Sequence, residues 1–137
     1  MAADPDCLFC RIVAGDIPSV RVHEDERTVA FLDIAPATRG HLLVVPRAHA
    51  ADVHDIEIDD LEACARTARE LAGRLRDRLG AEGINLLSSS GAAAWQTVRH
   101  FHMHVIPRYA GDPLVLPWTP RPAEPGELDS TGAALRD

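Results

Sequence analysis

The run His100-Phe101-His102-Met103-His104 places an imidazole at every second position. In an extended strand that spacing puts the three rings on one face and Phe101, Met103 and Val105 on the other, so that an imidazole face is backed by core. A neutral imidazole is a nucleophile toward phosphorus near pH 7, and neighbouring rings that donate hydrogen bonds offset charge on phosphate oxygens. The attacking ring needs its second nitrogen held as a donor, for which a nearby backbone carbonyl suffices. A solvated face or a metal site would read the same way. Rings spaced about 7 Å along one strand face point parallel rather than converging on an ion. That ranks His102 as a nucleophile above a metal ligand.

A second set of residues has metal-ligand spacing. Cys7-x-x-Cys10 matches a metal knuckle, and two more ligands would complete a tetrahedral Cys2His2 set, with His49 and His100 as candidates. A redox dithiol and two buried thiols are the rival readings of the pair, the first without its usual strand-then-helix setting. Cys64 is separate and falls on the apolar stripe of a helix, where a buried thiol is expected. Three cysteines leave one unpaired in any disulfide scheme, which fits a reducing compartment.

The elements that must position these groups follow from the hydrophobic pattern. Leu61, Ala65, Ala68, Leu71 or Ala72, Leu75 and Leu79 recur at three- and four-residue steps, predicting a helix over Asp59 to Leu79 that Gly80 stops. Val20-His23, Thr28-Asp33 and His41-Pro46 read as strands, the last two an antiparallel pair joined across Pro36 and Gly40. Ile84-Ser88 and Thr97-Ile106 follow the helix, separated by a small-residue loop. Strands, one long helix, then more strands indicate an α+β domain. Residues 5–118 form it, and the Pro-, Gly- and charge-rich stretch 119–137 reads as a poorly ordered tail.

With 137 residues, 46% of them hydrophobic, the chain supports one core. A net charge of -7 without a Lys/Arg-rich block argues against binding a nucleic acid polymer. The first ten residues lack a basic and then apolar leader, and no run is long enough to span a bilayer, so a cytoplasmic protein with no membrane partner is expected.

H-F-H-M-H-V-I resembles the alternating signature of the histidine-triad superfamily. Similar blocks are Cys7-Leu8-Phe9-Cys10-Arg11-Ile12, Phe31 to Pro36, Gly40 to Arg47 and Gln96-Thr97-Val98, in the family's order from about Cys7 to Trp118. The resemblance implies a five-stranded antiparallel sheet with one long helix, paired into a homodimer. It implies a nucleotidyl-histidine intermediate on His102, whose ring the carbonyl of His100 holds, with His104 on the phosphate or leaving-group oxygen and His41 approaching from the next strand. Thr97 and the Gln96 region would donate to the phosphate, Asp33 would accept from the ribose diol, and Phe9, Phe31 and Ile34 would wall the base, that of an adenine nucleotide by family likeness. Read without the family, these three apolar residues are core, and Asp33 starts a turn. By the same likeness Cys7, Cys10, His49 and His100 would hold a structural zinc. His100 must then turn away from the face it shares with His102.

The chain departs from the family at Ser89, where many members carry Asn or Gln, and at Trp95, where many carry glycine. Ser89 keeps a donor but shortens its reach, which puts the leaving-group contact in question. The leading expectation is a nucleotide hydrolase or transferase acting on a phosphoramidate or a dinucleoside polyphosphate. The alternatives are a nucleotide-binding regulatory module with little turnover and a zinc-stabilised interaction protein.

Overall fold

The computed structural model describes residues 3–137. Helix α1 (Leu8–Ala14) is followed by strands β1 (Arg21–Glu24), β2 (Thr28–Leu32) and β3 (Leu42–Pro46). The long helix α2 (Ile58–Leu79) leads to β4 (Gly83–Leu87), a short 3-10 turn (Ala92–Ala94), β5 (Met103–Arg108) and α3 (Glu127–Leu135). The five strands form one antiparallel sheet in the order β1-β2-β3-β5-β4, as the α+β reading expects.

The sheet has two covered faces because β2 and β3 are apolar at nearly every position. Ala30, Leu42, Val44 and Val105 face Cys64, Ala68, Leu71 and Leu75 of α2. Alternation sends Val29, Phe31, Leu43 and Val45 to the other face, where Phe9, Cys10 and Ile12 of α1 cover them. The α2 stripe differs in detail from the sequence pattern. Ala65 is exposed, while Thr67 is buried and bonds Thr28 Oγ1 at 2.9 Å. Cys64 is fully buried, and burial pushes its thiol up to about 12. At Gly40, φ is +93°, and a Cβ would lie 2.9 Å from Leu75 and Leu79. Only glycine lets the β2–β3 connection pass this close to α2.

Two elements lay outside the sequence pattern, α1 and α3. Cys7 caps α1, its sulfur accepting the Cys10 amide at 3.4 Å, and Gly15 closes the helix in a left-handed conformation. In the stretch read as a poorly ordered tail, Glu127 and Asp129 occupy the first turn of α3, complementing the helix dipole, and none of its residues is buried. Among the described residues, no helix is long and apolar enough to cross a membrane.

Candidate functional site

The histidine run is only half strand. β5 starts at Met103, six residues later than the periodicity predicts, because two upstream contacts pull the chain away from regular pairing. The Phe101 amide donates to the carbonyl of Ala50 at 2.7 Å, and His100 Nε2 lies 2.9 Å from the carbonyl of Pro46. His100 therefore turns from the face it would share with His102. His104 sits in register with Leu43 and Leu87, on the sheet face that Phe31 and Phe9 cover.

Backbone groups set the tautomer of each ring. His102 Nδ1 lies 2.8 Å from the carbonyl of His100, which accepts only, so Nδ1 carries the proton and Nε2 keeps its lone pair. The same logic gives His100 a protonated Nε2 and a free Nδ1. The Ala37 amide donates to His41 Nδ1 at 2.9 Å, so neutral His41 holds its proton on Nε2. That nitrogen is 2.9 Å from His104 Nδ1, which accepts, leaving His104 with an Nε2–H donor. Burial depresses the basicity of all four rings. His100 and His104 are pushed down to about 4, His104 by burial first and then by His102 and His41. His102 and His41 are lowered by burial, with Asp33 acting the other way on both. The row is neutral at pH 7, one ring offering a lone pair and the next a donor.

A cavity of about 280 Å³ opens beside His102 and His104, lined by Phe9, Phe31, Asp33, Leu43, Thr97 and Val98 among others. Phe9 stands edge-on to Phe31 and to His102, with ring centroids 5.5 and 5.1 Å apart. Asp33 lies at the rim with Oδ2 3.6 Å from His41 Nε2, while its Oδ1 accepts the Ala35 amide at 2.8 Å. Ile34 lines the cavity yet is 99% exposed, a flap rather than core. A larger groove on the other side of Thr97 and Val98 is lined by Cys7, His49 and Arg99 but by neither His102 nor His104. The cavity suits a flat apolar group with a polar tail reaching the histidines.

Gln96 and Ser89 are buried but do not line this cavity. The Gln96 amide clamps its own loop: Oε1 accepts from Gly91 at 2.8 Å, and Nε2 donates to the carbonyls of Ala51 at 2.6 Å and Val98 at 3.0 Å. Ser88, next to Ser89, donates to the carbonyl of His102 at 2.9 Å. Sequence reasoning missed Leu43 and Val98 as cavity walls, and their types differ in nothing from core residues. The Ala37 amide and Pro46 carbonyl were missed because backbone groups leave no mark on residue identity.

Cys7, Cys10, His49 and His100 converge at the back of the run, their ligand atoms all within 4.8 Å of one another. His100 Nδ1 lies 3.4 Å from Cys7 Sγ and 3.5 Å from Cys10 Sγ, and His49 Nδ1 lies 3.4 Å from Cys10 Sγ. Tetrahedral zinc with its usual bond lengths spaces N and S ligands by about 3.6 Å. The tautomer fits too, since His100 Nδ1 is the free nitrogen. The four residues therefore suit a closed metal site. Asp33, His41 and His104 also cluster within 4.8 Å, but a metal on His41 Nε2 would compete with the proton that the Ala37 amide forces there. His23, partly buried beside Asp25, and exposed His54 lie outside both groups.

The family model described as the HIT domain matches residues 14–111. The chain is 41% identical over 130 residues to the adenosine 5'-monophosphoramidase hnt1 of Schizosaccharomyces pombe, covering 94% of this chain and 95% of that one. A crystal structure from Streptococcus mutans UA159 superposes with a TM-score of 0.91 at 36% identity, covering 98% of this chain and 86% of the other. A zinc-bound histidine triad family protein from Mycobacterium smegmatis does so with a TM-score of 0.78 at 42% identity, covering 85% and 84%.

Proposed function

The chain belongs to the HIT domain family, and from that membership we propose that it cleaves a nucleoside monophosphate from a phosphoramidate or a dinucleoside polyphosphate, with His102 as the nucleophile. The observation that carries this reading is the His102 Nδ1 contact to the His100 carbonyl at 2.8 Å, which leaves Nε2 unprotonated at the cavity. His102 Nε2 attacks phosphorus as the bond to the leaving group breaks, and Nδ1–H stays on the carbonyl as the ring gains charge. His104 Nε2–H, held by His41, donates to a phosphate oxygen or to the leaving atom, an oxygen in a polyphosphate and a nitrogen in a phosphoramidate; the amine takes up a proton from solvent as the P–N bond breaks and leaves neutral, and the water of the second step returns one. Thr97 and the amides around Gln96 supply further donors. Water then displaces the ring from phosphorus and frees the nucleotide. Asp33 takes the ribose diol, and Phe9, Phe31 and Ile34 wall an adenine base. The S. pombe relative's name supports the adenine nucleotide and the P–N bond. Ser89, buried behind the loop, serves the phosphate only through that loop's backbone.

The catalytic unit in this reading is residues 5–118, with 119–137 as an appendage. Cys7, Cys10, His49 and His100 hold a structural zinc that fixes α1, and with it Phe9, to the histidine run. A homodimer is favoured by β4, a sheet edge whose Leu86 and Leu87 are 54% and 42% exposed.

Incubation with adenosine 5'-phosphoramidate tests the reaction. AMP release by the wild type, its loss in His102→Ala, and a nucleotidyl adduct located on His102 by mass spectrometry are expected. Binding without turnover would replace the enzyme with a nucleotide-binding module, and an adduct elsewhere would overturn the assignment of the nucleophile.

A further inference from the structure

Trp95 is the only non-glycine residue among those described with a positive φ, +73° with ψ +22°. A bulky L side chain rarely adopts that conformation, and one that does marks a turn or strain that the surrounding structure imposes. Trp95 is 60% exposed and stacks on no ring of its own chain among the described residues. The conformation is imposed from both sides. The amides of Ala94 and Gln96 both donate to the Gly91 carbonyl at 3.1 Å, the Trp95 amide donates to Ala92 at 3.0 Å, and the Gln96 side chain returns to the Gly91 amide at 2.8 Å. A rigid frame thus displays an indole that the fold itself leaves unused.

Its place gives it a partner. The loop begins at Ser88, bonded to the His102 carbonyl, and ends at Thr97 in the cavity wall. Two residues span at most about 7 Å, so the Trp95 backbone lies within that distance of the wall residue Thr97 without belonging to the cavity lining. Displacement at phosphorus is in line, so with the nucleoside inside and His102 attacking, the leaving group points away from Nε2 and out toward the rim.

We propose that Trp95 is a specificity-determining residue that stacks on the leaving group, selecting amines that carry an aromatic ring close to the scissile P–N bond. The inference rests on the proposed cleavage of a nucleotidyl bond and adds the side of the substrate that the nucleoside cavity does not read. Indole stacking on a flat ring is sequence-tolerant but strong, and its removal costs about 5- to 100-fold per ring.

The test compares AMP release from a tryptamine-linked adenosine 5'-phosphoramidate with release from the unsubstituted one, in wild type and Trp95→Gly. The ratio of the two kcat/KM values is expected to fall by about 10-fold in the variant. The melting temperature should hold or rise, since glycine relieves the positive φ. A purely structural Trp95 would instead lower the melting temperature and leave the ratio unmoved, and that result overturns the proposal. A parallel reading uses Trp118→Phe, which leaves Trp95 as the single indole. Its fluorescence should be quenched by a 4-nitrobenzylamine-linked adenosine 5'-phosphoramidate, whose ring does not emit at indole wavelengths, and not by AMP. If the wild type releases no AMP from either compound, the cleavage reading fails while the quenching still decides the stacking. Equal quenching by both ligands, or none, overturns it.

Discussion

Replacing His41 by Asn and by Gln separates two jobs that one ring performs. In Asn the side-chain oxygen takes the place of Nδ1 and keeps the Ala37 amide bonded, but nothing reaches His104. In Gln the amide nitrogen takes the place of Nε2 and keeps a donor on His104 Nδ1, losing the Ala37 contact. Outright removal of a preorganised donor to a reacting phosphate costs about 10²- to 10³-fold in kcat. His41→Asn leaves the His104 donor present but free to change tautomer, and frees the ring to turn. A loss of about 10-fold is expected, or about 1.4 kcal/mol of transition-state stabilisation. It should appear in kcat rather than KM, because the nucleoside cavity is untouched. His41→Gln should stay within about threefold of the wild type. Steady-state AMP release from adenosine 5'-phosphoramidate measures both. Wild-type rates in His41→Asn, or equal losses in the two variants, would refute the idea that His41 acts through the His104 tautomer.

Metal analysis of the purified protein should find about one zinc per chain, lost in Cys10→Ser together with several degrees of melting temperature. Metal-free protein of unchanged stability would remove the site. Acid should begin to destabilise the fold above the range in which carboxylates are protonated. His104 binds its proton only near pH 4 when folded but near 6.5 when unfolded, so the unfolded chain holds more protons in that window, and unfolding free energy falls as pH drops from about 6.5 toward 4. His41 contributes in the same direction. Denaturant midpoints across this range should show the slope, shallower in His104→Gln. A flat profile in the wild type would refute it.

The α+β class, the five strands and α2 were legible because their patterns are local: alternation in β2 and β3, a three-four stripe ending at Gly80. The convergence of His100 on Cys7, Cys10 and His49, apart from His102, was legible from residue types and family likeness. The geometry of the histidine run was not, since the start of β5 is set by the carbonyls of Pro46 and Ala50, which belong to a distant segment. Helix α1 escaped detection because its seven residues are too few for a period to show, and its cap is a cysteine. Gln96 was expected at the phosphate from its neighbourhood, yet its amide holds the loop from within.

The strand order β1-β2-β3-β5-β4 has a bearing on how the protein is made. During synthesis β4 emerges before the strand that must sit between it and β3, so it has no partner until β5 follows. His41 and His104, 63 residues apart, meet only when that last strand slides into place. A nascent chain short of Arg108 therefore carries a bare edge with exposed Leu86 and Leu87 and no assembled row of imidazoles. The row of imidazoles and the closing of the sheet arrive in one event, and the sticky interval before closure is where a chaperone would find it.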